Sequence, residues 1–398
     1  MKFQQICFFY DGYLESFYEK NPKLEGASYS EMQKALFADG FSAAHYFAQA
    51  IADFGYESEI IVASDRRMQT AWLRENEPNL ELGGPRMPAS GGYGRFLPDD
   101  LLRILIAQVN KYNPDILYFQ DPVGTDTRFL KMLKKQPRLV VGWRAADIPK
   151  GCDWSGIDLI VSNHRPSLEI GKKNGARWQE RLQPGFPEWI NDSLNGEACS
   201  HDVTFTGHVS PSHSNRIKVL TSVSGALLKE GVDFSLDYFL DSEPRLPSGI
   251  CMHARGKVWG MDMYRILKKS RINLNIHIDL AANEAANMRL FEATGVGSFL
   301  LTDFKDNIRD FFEPGKEIET FQSVDELVEK ALYYLSHPDR RLAIAEAGQR
   351  KCLEKFALRH SAAHLDQVIR RAMKAKSCLP RGRERFLNLF RKGLTPVP

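Results

Sequence analysis

The stretch Asn283–Asp303, NEAANMRLFEATGVGSFLLTD, indicates the fold most clearly. Its central part predicts a helix that contains Glu292. Gly295 and Gly297 then allow a tight turn into Phe299–Asp303, an apolar run typical of a buried strand. A helix that passes through a short turn into a buried strand predicts a parallel sheet covered by helices.

Two glutamates in this stretch, Glu284 and Glu292, have seven residues between them. We expect the helix to begin near Glu284, where free backbone N–H groups and the positive dipole end favour a phosphate. A carboxylate at that position is placed to bind sugar hydroxyls. Glu292, two turns further along, is placed to hold a ribose, because a carboxylate accepts two hydroxyl hydrogen bonds. A solvated helix face would explain the same pair.

Strand and helix signals alternate along most of the chain. The first half contains the predicted helix Phe41–Phe54, closed by Gly55, and the predicted strands Phe3–Tyr10, Glu59–Ala63, Ile116–Gln120, Leu139–Trp143 and Leu159–Ser162. The second half contains the predicted helix Asn215–Leu228 and the predicted strands Val203–Thr206, Ser235–Leu240 and Ile272–Ile278. This rhythm predicts an α/β architecture in both halves.

The alternation of strand and helix signals stops at Gln183–Ser200, a segment with two prolines and two glycines that is typical of a linker. We therefore expect one domain over residues 1–190, a linker over 191–200 and a second domain over 201–360. Residues 361–398 are expected to form a C-terminal helix and a tail. Two α/β domains form a cleft, and ligands of such sheets bind beyond the carboxyl ends of the strands.

The composition is that of an ordinary globular protein. The 398 residues are 43% hydrophobic and 26% charged, which excludes disordered and collagen-like chains. The formal net charge of +3 does not indicate a dedicated nucleic-acid binder. The charge is uneven, because Arg371–Pro398 contains eight basic residues and one acidic residue.

The cysteine pattern and the apolar runs favour a cytoplasmic protein. The six cysteines form no C-x-x-C pair, so they indicate neither a zinc site nor a disulfide framework. The apolar stretch at the N-terminus, Ile6–Tyr10, is too short for a signal peptide. Gly83–Gly94 is rich in glycine and proline but lacks the G-K-[ST] ending of a nucleotide P-loop.

Several motifs of the second half together resemble a known family. They are Phe205–Gly207, His213, Arg216, Ser270–Asn275, Asn287–Ala293, Phe299–Asp303, Phe312–Glu317, Ser323–Leu327, Leu335–Pro338 and Ile344–Gln349. In this order they resemble the C-terminal half of spore-maturation CgeB-like glycosyltransferases, over roughly residues 200–370. In the first half, Phe41–Val62 and Asn113–Leu117 resemble family 4 glycosyltransferases, although Gln120-Asp121 stands where many relatives carry a histidine.

The resemblance implies the GT-B fold, in which two Rossmann-like domains face each other across a cleft. It implies a retaining transfer, without a metal or another cofactor, from a UDP- or GDP-linked sugar. The transferred sugar is expected to be a hexose, and the expected process is bacterial polysaccharide biosynthesis. The acceptor is expected to be a glycan, a lipid-linked glycan or a protein, and not a nucleic acid. A nucleotide-sugar epimerase and a non-catalytic, glycan- or partner-binding protein of the same fold are the alternatives.

The resemblance and the residue types suggest a set of site residues. Glu284 and Glu292 are the predicted catalytic pair, and the donor-binding candidates are Gly207, Arg216, Lys257, Trp259, Asn287 and Arg289. Gly12, Asp121 and His164 are the acceptor-side candidates. Three of the donor-binding candidates have a structural alternative. It is core packing for Trp259, a surface helix position for Arg216 and a carboxylate partner for Arg289.

The C-terminal segment has two interpretations. Phe386, Leu387, Leu389 and Phe390 lie among basic residues, a pattern that fits peripheral contact with the anionic inner face of a membrane. The GT-B architecture instead favours a helix at Ala362–Ala375 that packs back on the first domain. We favour packing for that helix and leave the last twenty residues open.

Overall fold

The computed structural model describes residues 1–83, 97–210, 213–229, 234–242, 246–285 and 287–378. The predicted loop at Gly83–Gly94 falls almost entirely outside these ranges, and so does the basic tail after residue 378. Within the described residues the chain forms two separate parallel sheets. Membrane contact through the tail therefore stays a prediction.

The first sheet has the strand order β2-β1-β3-β4-β5-β6. Its strands are β1 (Lys2–Cys7), β2 (Glu57–Val62), β3 (Ile116–Phe119), β4 (Leu139–Trp143), β5 (Leu159–Ser162) and β6 (Trp178–Arg181). Its helices are α1 (Asp11–Lys20), α2 (Tyr29–Ala38), α3 (Phe47–Ile51), α4 (Arg66–Asn76), α5 (Asp99–Tyr112), α6 (Thr127–Leu130) and α7 (Arg165–Lys173).

Both faces of the first sheet are covered. In β3, Ile116 and Tyr118 belong to one apolar cluster, whereas Leu117 and Phe119 belong to another. Successive side chains of a strand point to opposite faces, so two clusters separated in this way lie on the two sides of the sheet. This explains why the strand is a continuous apolar run rather than an alternating one.

The predicted helix Phe41–Phe54 is interrupted, so this prediction is wrong in detail. Residues Ala43–His45 form a 3-10 turn, α3 follows, and a second 3-10 turn precedes Gly55. The cause is the buried side chain of Gln5 on β1. Its Nε2 donates to the carbonyl of His45 (2.6 Å), and its Oε1 accepts from the N–H of Ala48 (2.9 Å). Those main-chain groups therefore bond to the sheet.

The second sheet has the order β11-β10-β9-β7-β8, also parallel. Its strands are β7 (His201–Val209), β8 (Leu236–Ser242), β9 (Ser270–Asn275), β10 (Leu300–Asp303) and β11 (Glu319–Phe321). The helices are α8 (Ser214–Lys229), α9 (Ser248–Cys251), α10 (Gly260–Lys269), α11 (Arg289–Gly295), α12 (Val324–Ser336), α13 (Pro338–Lys355) and α14 (Leu358–Ser377). None of the helices in the described ranges has the length and apolarity to cross a membrane.

Each sheet has one point where the strand order reverses. In the first sheet the chain passes from β1 outward to β2 and then returns to β3 on the other side of β1. In the second sheet β7 has β8 on one side and β9 on the other. Ligands of open parallel sheets bind beyond the carboxyl ends at such points, which lie here at β1 and β7.

The chain crosses between the domains twice, and the two crossings contact each other. The N–H of Phe186 donates to the carbonyl of Phe356 (2.7 Å), and the N–H of Leu358 donates to the carbonyl of Phe186 (2.7 Å). The segment expected to be a linker is thus packed, with Phe186 fully buried. After the second crossing α14 packs on the first domain through Leu365, Val368, Ile369 and Ala372.

Replacement of Gly185 by alanine tests this crossing. A Cβ at Gly185 would lie 2.7 Å from the main chain of Ala357 and Leu358, which cannot give way as a flexible side chain can. We expect Gly185→Ala to lower the free energy of unfolding by about 1–3 kcal/mol, measured by urea denaturation. Gly225→Ala, in open space within α8, is the control and should raise stability by about 0.5–1 kcal/mol. Equal stability of the Gly185 variant and the wild type would contradict the packing described.

Candidate functional site

A cavity of about 770 Å³ lies between the two domains, where the two strand-order reversals face each other. We call it the main cavity. Its walls are formed by residues 10–12 after β1, residues 40–42, 44 and 45, residues 206–208 of β7, Phe239 and Asp241 of β8, residues 258–260 and 263, and residues 288, 289 and 292 around α11.

Two charged side chains of α11 line the main cavity as a pair. Arg289 Nη1 lies 2.9 Å from Glu292 Oε2, one helical turn away. Both side chains are largely buried, with 13% and 12% of their surface exposed. Arg289 Nη2 donates to the carbonyl of Thr206 (3.4 Å), which ties α11 to the end of β7. A buried cation and carboxylate side by side are suited to a ligand that carries both phosphate and hydroxyl groups.

The helix does not begin near Glu284, so that prediction is wrong. Helix α11 starts at Arg289, five residues later, and the main chain at Glu284 is a loop. Glu284 instead lies in a separate cavity of about 590 Å³ between the domains, the acidic cavity, with Glu169, Asp306 and Asp310. Its carboxylate lies 3.3 Å from Arg165 Nε of the first domain. The structure thus separates the two glutamates into different cavities.

Arg216 does not line the main cavity. Its Nε and Nη2 donate to the carbonyl of Ile276 (3.1 and 2.6 Å), and its Nη1 donates to the carbonyl of His208 (2.6 Å). Burial lowers the pKa of this guanidinium to about 10. The side chain therefore joins the end of β7 to the end of β9, across the reversal point. This bonding is structural, and the burial of Arg216 shows that the surface alternative is wrong, whereas the phosphate contact stays a prediction.

A second group of charges lies at the main cavity, where His208 and Asp241 form part of the wall and Lys257 lies behind Asp241. Lys257 Nζ lies 3.0 Å from Asp241 Oδ1, and His208 Nδ1 lies 3.3 Å from Asp241 Oδ2. Gly12 faces this group, since a Cβ at Gly12 would lie 4.0 Å from Lys257 Nζ. Gly207 lies beside them in the cavity wall. Lys257 is half-exposed and is therefore free to exchange Asp241 for a ligand anion at modest cost.

The position of Trp259 agrees with both interpretations given for it, donor binding and core packing. It lines the main cavity, and it also packs against the aromatic cluster of the first domain. Its ring lies 6.1 Å from Tyr10, 6.2 Å from Tyr13 and 5.6 Å from Phe41. Trp259 therefore helps to hold the two domains together at the cavity wall.

A smaller cavity of about 250 Å³ adjoins the main cavity. We call it the amide cavity, because Gln120, Asn163 and Asn287 line it, with His45, Trp143, Arg144, Ala145, Ala146 and Met288. Asn287 exchanges two side-chain hydrogen bonds with Asn275 at the end of β9 (2.6 and 3.3 Å). Asn287 is thus fixed at the junction of the two domains.

The remaining acceptor-side candidates lie outside both of these cavities. Asp121 accepts from Arg144 Nη1 (2.8 Å) and holds that arginine at the edge of the amide cavity. His164 is buried in the wall of the acidic cavity, where its Nδ1 lies 2.9 Å from Ser167 Oγ. Asp121 therefore pairs with Arg144, and His164 lies near Glu284.

Sequence reasoning missed His45, which lines both the main and the amide cavity. Its position inside a helical pattern concealed it, and the preceding Gly40 was the available signal. Burial lowers the pKa of His45 to about 4, so its ring is neutral near pH 7. In the part of the chain that the structure describes, no three histidine, cysteine or carboxylate side chains are grouped so as to hold a metal ion.

Residues 241–367 match a family model described as glycosyl transferase-like. No curated protein matches the chain in sequence. Among solved structures, a glycosyltransferase from Rickettsia africae ESF-5 is 12% identical, with a TM-score of 0.57 over 94% of this chain and 98% of that one. HepE from Anabaena, in complex with UDP and glucose, is 12% identical, with a TM-score of 0.56 over 93% and 100%.

The chain has the GT-B fold. Sucrose-phosphate synthase from Thermosynechococcus elongatus, 10% identical with a TM-score of 0.53 over 94% of this chain and 100% of that one, shares the same architecture. The fold expected from the motifs is therefore confirmed. The family model covers less than half of the chain, and the CgeB-like type stays a prediction.

Removal of the Arg216 guanidinium tests its structural role. Arg216→Met leaves the carbonyls of His208 and Ile276 without a partner, and each buried unpaired group costs about 1–3 kcal/mol. We expect a clear fall in melting temperature, measured by calorimetry. Lys218→Met, at an exposed position on the same helix, is the control and should change little. An Arg216 variant as stable as the control would show that these bonds do not support the fold.

Proposed function

We propose that this protein is a glycosyltransferase that binds a nucleoside-diphosphate sugar in the main cavity. The observation that carries the proposal is the buried Arg289–Glu292 pair, which faces the cavity where the two domains meet. The glycosyl transferase-like family model covers this part of the chain, and the GT-B fold agrees with it. A purely structural ion pair would not need to face a cavity of this size.

In this proposal Glu292 accepts hydrogen bonds from the ribose hydroxyls, and Arg289 binds the diphosphate. Lys257, at the other charged group of the cavity, supplies a second cation. As the sugar leaves, negative charge grows on the diphosphate, and cations held in place stabilise that charge without reorganising. Trp259 and Gly207 shape the wall against which the nucleotide lies.

The finer features of the reaction belong to the same proposal. A hexose transferred with retention, without a metal, from UDP or GDP is what the resemblance to family 4 enzymes implies. The HepE structure holds UDP and glucose, which supports testing UDP donors first. The acceptor is a glycan, a lipid-linked glycan or a protein. Glu284 contacts the donor sugar in this proposal only if the loop before α11 rearranges, because it now lies in the acidic cavity.

Nucleotide binding is the first test. A ligand at about 100 times its dissociation constant adds nearly 3 kcal/mol to the stability of a protein, so thermal shift with UDP, GDP, CDP, ADP and dTDP will reveal the base. We expect one nucleotide to stand out, and Glu292→Gln to weaken its binding by about tenfold or more, because an amide replaces one acceptor by a donor. Glu329→Gln, at an exposed position on α12, is the matched control. Unchanged affinity in the Glu292 variant would refute this role.

Product analysis then separates the proposed transferase from its alternatives. The wild type is incubated with the selected nucleotide sugar and a panel of sugar acceptors, and the products are examined by NMR. We expect free nucleoside diphosphate together with a glycoside that keeps the anomeric configuration of the donor. An inverted C2 without transfer to an acceptor would indicate an epimerase. Binding of glycans with no binding of nucleotide would indicate the non-catalytic alternative.

A further inference from the structure

His45 lies where the main cavity and the amide cavity meet, and its ring forms part of both walls. Nδ1 is shielded from solvent and has no hydrogen-bond partner among the described residues. Because the residue is partly exposed and lines both cavities, Nε2 is the ring nitrogen that a ligand can reach. A polar atom held at a cavity junction without a protein partner needs an explanation.

The chemistry of a neutral imidazole decides what Nε2 offers. The ring carries one N–H, since burial keeps it unprotonated near pH 7. If the hydrogen were on Nδ1, an unpaired donor would be buried, which is costly and rare. With the hydrogen on Nε2, only a lone pair is left unpaired at the shielded position. The favoured tautomer therefore presents an N–H donor to the cavity.

The main chain that carries this donor is held in place by contacts within the first domain. Gln5 binds the main chain on both sides of the ring, at the carbonyl of His45 and the N–H of Ala48. Gln120 Nε2 donates to Ser42 Oγ (3.1 Å) and so holds the loop that leads to His45. The imidazole itself lies 5.1 Å from the Trp143 ring. Contacts of this kind reduce the conformational freedom that a ligand would otherwise have to remove.

The surroundings indicate which part of a ligand the donor meets. The charged pair Arg289–Glu292 lies on the main-cavity side, whereas the amide cavity offers side-chain amides, the Trp143 side chain and Arg144, whose charge is neutralised by Asp121 (2.8 Å). Neutral amides beside an aromatic ring suit a polyhydroxylated, uncharged group better than a phosphate. The position of His45 between the two environments matches the connection between a diphosphate and a sugar.

We propose that His45 is a sugar-contacting residue, which donates a hydrogen bond from Nε2 to an oxygen of the sugar carried by the nucleotide. This inference rests on the proposed function, because it requires that a nucleotide sugar occupies the main cavity. It assigns the contact with the sugar to a residue of the first domain, whereas the proposed contacts with the nucleotide come mainly from the second domain.

The test compares a bare nucleotide with its sugar conjugate. Isothermal titration of the full chain with UDP, GDP, CDP, ADP and dTDP, and with their glucose, mannose and N-acetylglucosamine conjugates, identifies the conjugate that the wild type binds best. Binding of none of these ligands by the wild type would overturn the proposed function and with it this inference. Where one binds, His45→Phe should weaken the binding of the conjugate by about tenfold and leave the affinity for the bare nucleotide within about twofold of the wild-type value.

Two further variants complete the design. His45→Gln places an amide N–H near the position of Nε2 and should recover part of the lost affinity for the conjugate. His360→Phe, at an exposed position on α14, is the control for the same substitution and should bind both ligands as the wild type does. If His45→Phe does not fold, His45→Met removes the donor with a flexible side chain instead. An equal loss for nucleotide and conjugate, or no loss for either, would overturn the role of His45 while leaving the proposed function standing.

Discussion

The position of Phe186 at the crossing of the two interdomain segments is the constraint on which the cleft depends. Its main chain bonds to Phe356 and Leu358, which belong to the returning segment. Its ring lies against Gly295, where a Cβ would come within 2.3 Å of it. Gly295 is the last residue of α11, the helix that begins at Arg289. The packing of Phe186 against Gly295 therefore links the interdomain crossing to the helix that carries the charged pair.

A second set of contacts joins the domains on the other side of the main cavity. Gly260, at the start of α10, approaches Asp39 so closely that a Cβ would lie 1.9 Å from its Oδ2, and Tyr13 donates to the same oxygen (2.8 Å). Lys20 and Asp262 form an exposed ion pair nearby (2.7 Å). Exposed pairs contribute little, so the close main-chain approach and the aromatic packing of Trp259 dominate this contact. The cavity is thus bounded by two rigid contacts.

Predictions from the sequence succeeded where the signal is local and failed where a residue distant in sequence determines the local structure. All strands except the edge strands β6 and β11 were found, because buried parallel strands are short apolar runs, and the helix containing Glu292 was found for the same kind of reason. The interruption at His45 was missed because Gln5, forty residues earlier, binds the main chain there. The bonding of Arg216 depends on carbonyls that come together only when β7 and β9 pair. Such contacts follow from the topology and not from spacing.

The pairing of Arg289 with Glu292 also bears on the kind of ligand that the main cavity favours. Two charges that are each nearly nine-tenths buried are tolerated because each neutralises the other. A ligand that bound only the arginine would leave a buried carboxylate without its partner, and one that bound only the carboxylate would leave a buried cation. Breaking a buried pair on one side is strongly unfavourable, whereas replacing both partners at once is not. Under the proposed function, a nucleoside diphosphate offers phosphate oxygens and ribose hydroxyls in one molecule, which neither free phosphate nor a free nucleoside does.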